Sequence, residues 1–329
     1  MFGRFLGNRN RGSAYSERLG SNQSRTYTFS CILDENPRFY VELVLWAICA
    51  RKFLPQGKSR IIVYTVGAIP SDLIDWLQNL DIGVQAIGTV IEGSPHSNKI
   101  APFLQSHPTD VIVVCDTDLF FLGDPVNLLR SERIRAAPNN HCNPPSHIFE
   151  RILFASGLNR PYRPGIALFK GADGRRETHI NNISAGIVAA PVARAAELGA
   201  AWKKWAGWLV SNRRLLEVWS VHVDQVAFAL ALEELGEDVE FLPPQLNAIL
   251  HLFEELTSCV AVHLTTIHIP SFPERFNDDR TLRAQGLSDG MAASLGRLNA
   301  CILEAGEQIS RLPSTRGHYD KFLNPSWVR

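Results

Sequence analysis

Two carboxylates stand one residue apart at Asp116 and Asp118, immediately after the apolar run Val111-Ile112-Val113-Val114-Cys115. An unbroken apolar run of this length reads as a strand buried on both faces, the pattern of a parallel sheet. Acids at the carboxyl end of such a strand lie where open α/β sheets bind ligands. Alternation along an extended chain sends both side chains to one side. Two like charges there repel unless a cation or a proton lies between them. Carboxylate oxygens are hard ligands, so Mg²⁺ or Mn²⁺ is the natural guest, and such ions often bridge to substrate phosphates. The same Asp-x-Asp spacing also serves turns and caps, so the pair alone leaves both readings open.

The surrounding pattern supplies the elements that would position these acids. Thr26 to Leu33 reads as a first strand, and Phe39 to Phe53 as a helix with Phe39, Leu43, Trp46, Ala47 and Ala50 on one face. Arg60 to Thr65 is a second strand, Pro70 to Leu80 a helix capped by Ser71 or Asp72, and Gly83 to Ile87 a third strand. That succession predicts a mostly parallel twisted sheet flanked by helices. Ser97 or Asn98 caps a short helix that carries Lys99 and Phe103 inward, just before the acidic strand. A short helix at Pro125 to Arg130 and a strand at Ile134 to Ala137 follow. Residues 141–180 are irregular, too long for a passive loop, with a helix expected near Arg151 to Ala155. After it come the turn and strand of Asn181 to Ala190, and a helix opened by Pro191 whose Trp202, Trp205 and Trp208 read as packing. Val221 to Leu235 is a helix, Val239 to Leu242 a strand, Cys259 to His268 a last apolar strand, and Ala292 to Gln308 a helix.

The 329 residues divide by this reading into an arm at 1–26, a domain at 27–270 with its insertion at 141–180, and a helix and tail at 271–329. Lys plus Arg and Asp plus Glu number 33 each, so nothing global argues for nucleic acid as a partner. Six cysteines show no Cys-x-x-Cys pair and sit largely in apolar runs, which fits a reducing compartment better than a disulfide framework. No stretch has the length of a transmembrane segment and no secretory signal opens the chain. The expectation is a cytoplasmic protein, with room for a peripheral place on the inner face of a membrane.

Several segments, in order, resemble one family. VVCDTDLFFLGDP is similar to the Asp-x-Asp segment of GT-A fold, nucleotide-sugar-dependent glycosyltransferases, above all the retaining, glycogenin-like and lipooligosaccharide galactosyltransferase-like group. Pro95-His96-Ser97-Asn98-Lys99-Ile100 resembles the helix before that motif, and NISAGIVAAP the Asn-Ala/Ser-Gly strand. HVDQVAFALAL, followed by FLPPQLNA, resembles the Asp-Gln helix and the strand after it. VAVHLTT resembles the late strand whose histidine completes the metal site. The resemblance spans about Thr26 to Pro270 and is more specific as an ordered set than any single motif.

The resemblance implies an enzyme that moves a sugar from a nucleotide-diphosphate sugar to a glycan, lipid-linked or protein acceptor, with retention and with Mn²⁺ or Mg²⁺. It implies metal ligation by Asp116, Asp118 and His263, with His268 as the rival third ligand. Donor contacts fall to Asp34, Lys99, Asp116, Ser184 and Gly186, and the catalytic place on the sugar's other face to Asp224 and Gln225, which orient donor sugar and acceptor, with Gln225 stabilising an oxocarbenium-like state. Imidazole beside carboxylates favours Mn²⁺. Two departures stand out. Ser184 replaces the family's Asn, and the ending His-x-x-Gly-x-x-Lys-Pro-Trp is reduced to its histidine, leaving Lys99 or an arginine of 151–176 to supply positive charge. Each residue also has a plainer reading. Asp224 and Gln225 suit the first turn of any helix, a lone His on an apolar strand is usually core, and Lys99 suits a solvated surface. His141, His147 and His179 carry no spacing that marks a site. Three rivals remain. A phosphatase-like hydrolase would want Thr where Phe120 stands, and a nucleotidyltransferase a glycine-rich basic loop where Asp34-Glu35-Asn36-Pro37 stands. A degenerate transferase fold could serve as a sugar- or partner-binding module.

Overall fold

A computed structural model describes residues 25–171, 174–249, 256–264 and 287–317. The elements run β1 (Tyr27–Leu33), α1 (Pro37–Phe53), β2 (Ser59–Val66), α2 (Ser71–Asn79) and β3 (Gly83–Ile87), then a 3₁₀ segment at Pro95–Leu104. Next come β4 (Val111–Cys115), β5 (Leu119–Phe121), α3 (Val126–Leu129), β6 (Arg135–Pro138), α4 (Ser146–Ser156), β7 (Pro164–Ile166), β8 (Glu177–His179) and β9 (Ile183–Pro191). The chain continues through α5 (Val192–Ser211), α6 (Val223–Leu235), β10 (Glu240–Phe241), β11 (Ala261–His263) and α7 (Asp289–Arg311).

Seven strands form one sheet in the order β10-β6-β9-β4-β1-β2-β3. All neighbours are parallel except β9, which runs antiparallel to both β4 and β6. Strand order reverses between β1 and β4: β2 and β3 lie to one side of β1, and β4 begins the other. Diverging loops at such a switch point open a crevice at the carboxyl ends of the strands. The loops after β1 and β4 carry Asp34 and the Asp116/Asp118 pair.

The sheet is covered on both faces, which explains the unbroken apolar reading of β4. Val111, Val113 and Cys115 pack on one side with α1 and α7, while Ile112 and Val114 pack on the other with α5 and α6. The apolar–polar alternation of β1 has a different meaning from a wet face. Thr28 and Ser30 are fully buried and satisfied internally, Thr28 Oγ1 by Thr109 Oγ1 at 2.8 Å and Ser30 Oγ by donating to the Val113 carbonyl at 3.2 Å. Helix α7 lays Met291, Leu295, Leu298, Cys301, Ala305 and Ile309 into the α1 side of the core. All six thiols are buried and none is in a disulfide.

Local details differ from the sequence reading where a proline or a tertiary partner intervenes. Pro70 occupies the cap position of α2, with no side-chain cap bond; Asp72 instead accepts the Ser314 backbone N–H at 3.0 Å. The irregular insertion holds a longer helix than expected, α4, which starts after Pro145 and stops at Gly157 in a left-handed conformation (φ 71°). The short β7–β8 hairpin follows it. Among the described residues no helix is long and apolar enough to cross a membrane.

Candidate active site

The acidic pair does not converge by strand alternation. Strand β4 ends at Cys115, and residues 116–118 form a turn in which the Leu119 N–H returns to the Asp116 carbonyl at 3.2 Å. The Asp116 N–H is held by the Gly186 carbonyl of β9 at 3.0 Å. The turn, not a pleat, brings both carboxylates to one place.

A small second ladder delivers the histidine. Strand β11 pairs antiparallel with β5, so His263 faces Leu119, and the Leu264 N–H bonds the Asp118 carbonyl at 2.9 Å. His263 is buried, with Nε2 at 3.1 Å from Asp118 Oδ1 and 3.8 Å from Asp116 Oδ2. Its Nδ1 meets Asn247 Oδ1 at 2.9 Å. An amide oxygen only accepts, so Nδ1 carries the proton and Nε2 is the atom turned to the acids. Burial opposes a charge on the ring, yet Asp118 and then Asp116 outweigh it and hold the pKa above the ordinary value. The backbone at Gly186 permits this packing: a Cβ there would lie 2.4 Å from His263 Cε1 and 2.7 Å from Nδ1. Glycine is the residue that leaves the ring its place.

Those observations decide whether a divalent ion suits the site. One donor atom from each of Asp116, Asp118 and His263 lies within 4.8 Å of the others. Two carboxylates and an imidazole nitrogen aimed at one another favour a cation among them, a proton on Nε2 or a metal, in addition to the ammonium that meets Asp116 from outside. Oxygen donors with a single imidazole match Mn²⁺ or Mg²⁺ rather than a thiolate-seeking ion. The Asn247 amide supplies the orienting bond that metal-binding histidines usually have.

Lys99 reaches the same centre from the 3₁₀ segment. Its ammonium contacts Asp116 Oδ1 at 2.6 Å, donates to the Ala185 carbonyl at 3.2 Å and stands 3.9 Å from Asp224 Oδ2. Burial works against this charge, but Asp116 and then Asp224 prevail and raise the pKa. Asp224 is buried at the start of α6, where its backbone carbonyl accepts from Trp202 Nε1 at 2.7 Å. That bond, with the Trp202 ring edge-on to Phe228 at 4.9 Å, ties the packing of α5 on α6 to the placement of Asp224. Gln225 is half-buried, with its side chain in hydrogen-bond reach of His222. Ser184 is buried on β9, two residues before Gly186.

Asp34 lies apart from this cluster, on the other loop of the switch point. Its Oδ1 accepts the Asn36 N–H at 2.9 Å. With Asn36, Gly67, Gly88, Thr89 and Asn98 it lines a cleft of about 530 Å³, a volume in the range of small-molecule sites. Of the arginines expected to add positive charge, Arg151 is engaged by Glu217 and the Leu215 carbonyl, and Arg163 by Glu233 and Asp238. His268, the rival ligand, lies outside the described residues.

Two contributors were not singled out from the sequence. Asn247 sat inside a matched segment without a role. Glu42 left a signal that could have been read: it is the one charge among the buried residues Tyr40 to Ala50 of α1. Its Oε2 accepts from Thr117 Oγ1 at 3.0 Å and its Oε1 from Arg38 Nε at 3.1 Å. Burial, with the charge of Asp118 second, pushes its pKa up to about 7 against the pull of Arg38 and these hydrogen bonds.

No family model matches the sequence, and no curated protein is similar to it in sequence. Solved structures are similar in fold. The galactosyltransferase LgtC in complex with donor and acceptor sugar analogues aligns over 84% of this chain and 95% of its own, with 10% identity and a TM-score of 0.51. An active-site mutant of LgtC aligns over 72% of this chain and 87% of its own, with 9% identity and the same TM-score of 0.51. At such identity the likeness is one of architecture: the chain has the GT-A fold, a mostly parallel α/β sheet flanked by helices.

Proposed function

We propose that this protein is a divalent-metal-dependent glycosyltransferase. It moves a hexose from a nucleoside-diphosphate donor to a glycan, lipid-linked or protein acceptor, with retention at the transferred carbon. The observation that carries the reading is the meeting of Asp116, Asp118 and His263 at the sheet's switch point, beside a cleft bordered by Asp34.

A bound Mn²⁺ or Mg²⁺ would act as a Lewis acid toward the diphosphate leaving group, neutralising charge as the glycosidic bond breaks. The chain's residues arrange the rest. Asp116, Asp118 and His263, the last oriented by Asn247, would hold the ion. The cleft at Asp34 takes the base and ribose. Lys99 sits between Asp116 and Asp224, so it links the acidic turn to the start of α6. Asp224 and Gln225 face the donor sugar. The Gln225 amide oxygen suits a centre that becomes positive in the transition state, where a fixed dipole is worth several kcal/mol.

The test is release of nucleoside diphosphate from a panel of sugar nucleotides, with Mn²⁺ and then with a chelator. Release that depends on the metal and on one donor is the expected result. A donor that binds without release would instead establish a sugar-nucleotide-binding module, and no binding to any donor would remove the transferase reading.

A further inference from the structure

The residue between the two acids points the other way. Thr117 is buried, and its hydroxyl donates to Glu42 Oε2 at 3.0 Å, across to α1. Glu42 is itself only 2% exposed, and its second oxygen is held by Arg38 one turn earlier at 3.1 Å. Its helical neighbours Tyr40, Val41, Leu43, Val44, Leu45 and Trp46 are all buried and apolar or aromatic. A carboxylate costs free energy in such a setting unless each oxygen is satisfied. An apolar residue at position 42 would pack there without that cost, so packing alone does not account for the acid.

The geometry gives it a task. Asp116 is anchored through its N–H by the Gly186 carbonyl, and Asp118 through its carbonyl by the Leu264 N–H. Both anchors act on backbone at the ends of the turn. The middle residue has its hydroxyl as a handle, and Glu42 holds it from behind. A three-residue turn tethered at both ends and at its centre keeps the Cα–Cβ bonds of both acids directed toward His263.

We propose that Glu42 is a positioning residue for the acidic pair, fixing the turn through Thr117 so that Asp116 and Asp118 present their oxygens together. This rests on the metal-site reading above. Orienting partners of this kind typically change metal affinity by about 10–100-fold when removed.

Mn²⁺ binding followed by electron paramagnetic resonance tests it, with no substrate present. The proteins are the full chain and its Thr117→Val, Thr117→Ser and Glu42→Leu variants, each with a melting temperature taken in chelator. Thr117→Val keeps the shape and removes the bond; Thr117→Ser keeps the bond. The expected result is Mn²⁺ binding by the parent and by Thr117→Ser. Thr117→Val should bind at least tenfold more weakly, with a broadened spectrum and a melting temperature close to that of Thr117→Ser. Glu42→Leu should match Thr117→Val if it folds, and Thr117→Val decides the matter if it does not. Equal Mn²⁺ affinity in the Val and Ser variants would overturn the inference and leave the metal site standing. No Mn²⁺ binding by the parent would remove the metal site itself, and this inference with it.

Discussion

Two buried polar clusters lie on this fold, and they are built on opposite principles. One ties the insertion to α6. Arg163 pairs with both Glu233 and Asp238. Asn181 donates to Glu233 Oε1 at 3.0 Å and to the Glu237 carbonyl at 3.2 Å, and accepts the Val239 N–H at 3.0 Å. His179 accepts the Asn181 N–H on Nδ1 at 3.1 Å and stacks on Phe149 at 5.2 Å. Burial, and then the charge of Arg163, lower its pKa to about 3, so it stays neutral. The other cluster is the candidate active site, where Asp116, Asp118, Asp224 and Glu42 face Lys99, Arg38 and one histidine. The first cluster is closed, each charged group held by a fixed partner, with Arg163 shared by two carboxylates. In the second, oxygens of Asp116 and Asp118 and a nitrogen of His263 converge on a common point. Closed networks rigidify and specify a fold; donor atoms that converge on one point are arranged for something that arrives.

The largest effect that separates the two is expected from Asp118→Asn. Turnover should fall by about 10²–10³-fold, the usual consequence of losing one group that stabilises developing charge, while the melting temperature in chelator moves by only a few degrees. Nucleoside diphosphate release and differential scanning fluorimetry on the same preparation check both halves. A variant that keeps full turnover would erase the contrast. Arg163→Ala should do the reverse, leaving Glu233, which is 3% exposed, without its cation. The expected cost is about 2–3 kcal/mol, below the usual range for a broken buried pair because the guanidinium is partly solvated. Urea unfolding measures it, and Mn²⁺ affinity should not change.

Gly186→Ala sharpens the comparison within the site. Its Cβ must displace the His263 ring, which it would otherwise approach to 2.4 Å. Mn²⁺ affinity should therefore drop by about tenfold or more, read by titration. An unchanged affinity would mean that His263 is no ligand. The smallest effect belongs to pH. A histidine held neutral to about 3 in the native state, against 6.5 for the free residue, contributes stability above pH 6.5 and loses it as pH falls from there toward 3. The melting temperature in chelator should drop further between pH 7 and 4.5 in the parent than in His179→Gln. Parallel profiles would show that the closed cluster does not hold its histidine uncharged.

Much of the frame was legible in residue order. Alternating strand and helix patterns from Tyr27 to Ile87 gave a parallel sheet because each such unit must cross over with the same hand, and the observed β1, β2 and β3 pair parallel in register. The register of β9 was not legible. A run such as Ile183–Pro191 is buried on both faces whichever way it points, so periodicity holds no direction. The helix inside the insertion starts at Ser146 rather than near Arg151, because prolines such as Pro144 and Pro145 suggest a loop, although Pro145 occupies the cap position of α4.

The nature of the acids and their place after a buried strand follow from local chemistry: an apolar run followed by Asp-x-Asp can be read within fifteen residues of chain. How they meet does not. His263 arrives from 145 residues downstream by pairing β11 with β5, Asn247 fixes its proton, and Glu42 grips Thr117 from a helix 75 residues before it. Hydrogen bonds and ion pairs act over about 3 Å of space and are indifferent to separation along the chain. Residue types therefore announced what chemistry was on hand, and packing chose which of them would share it.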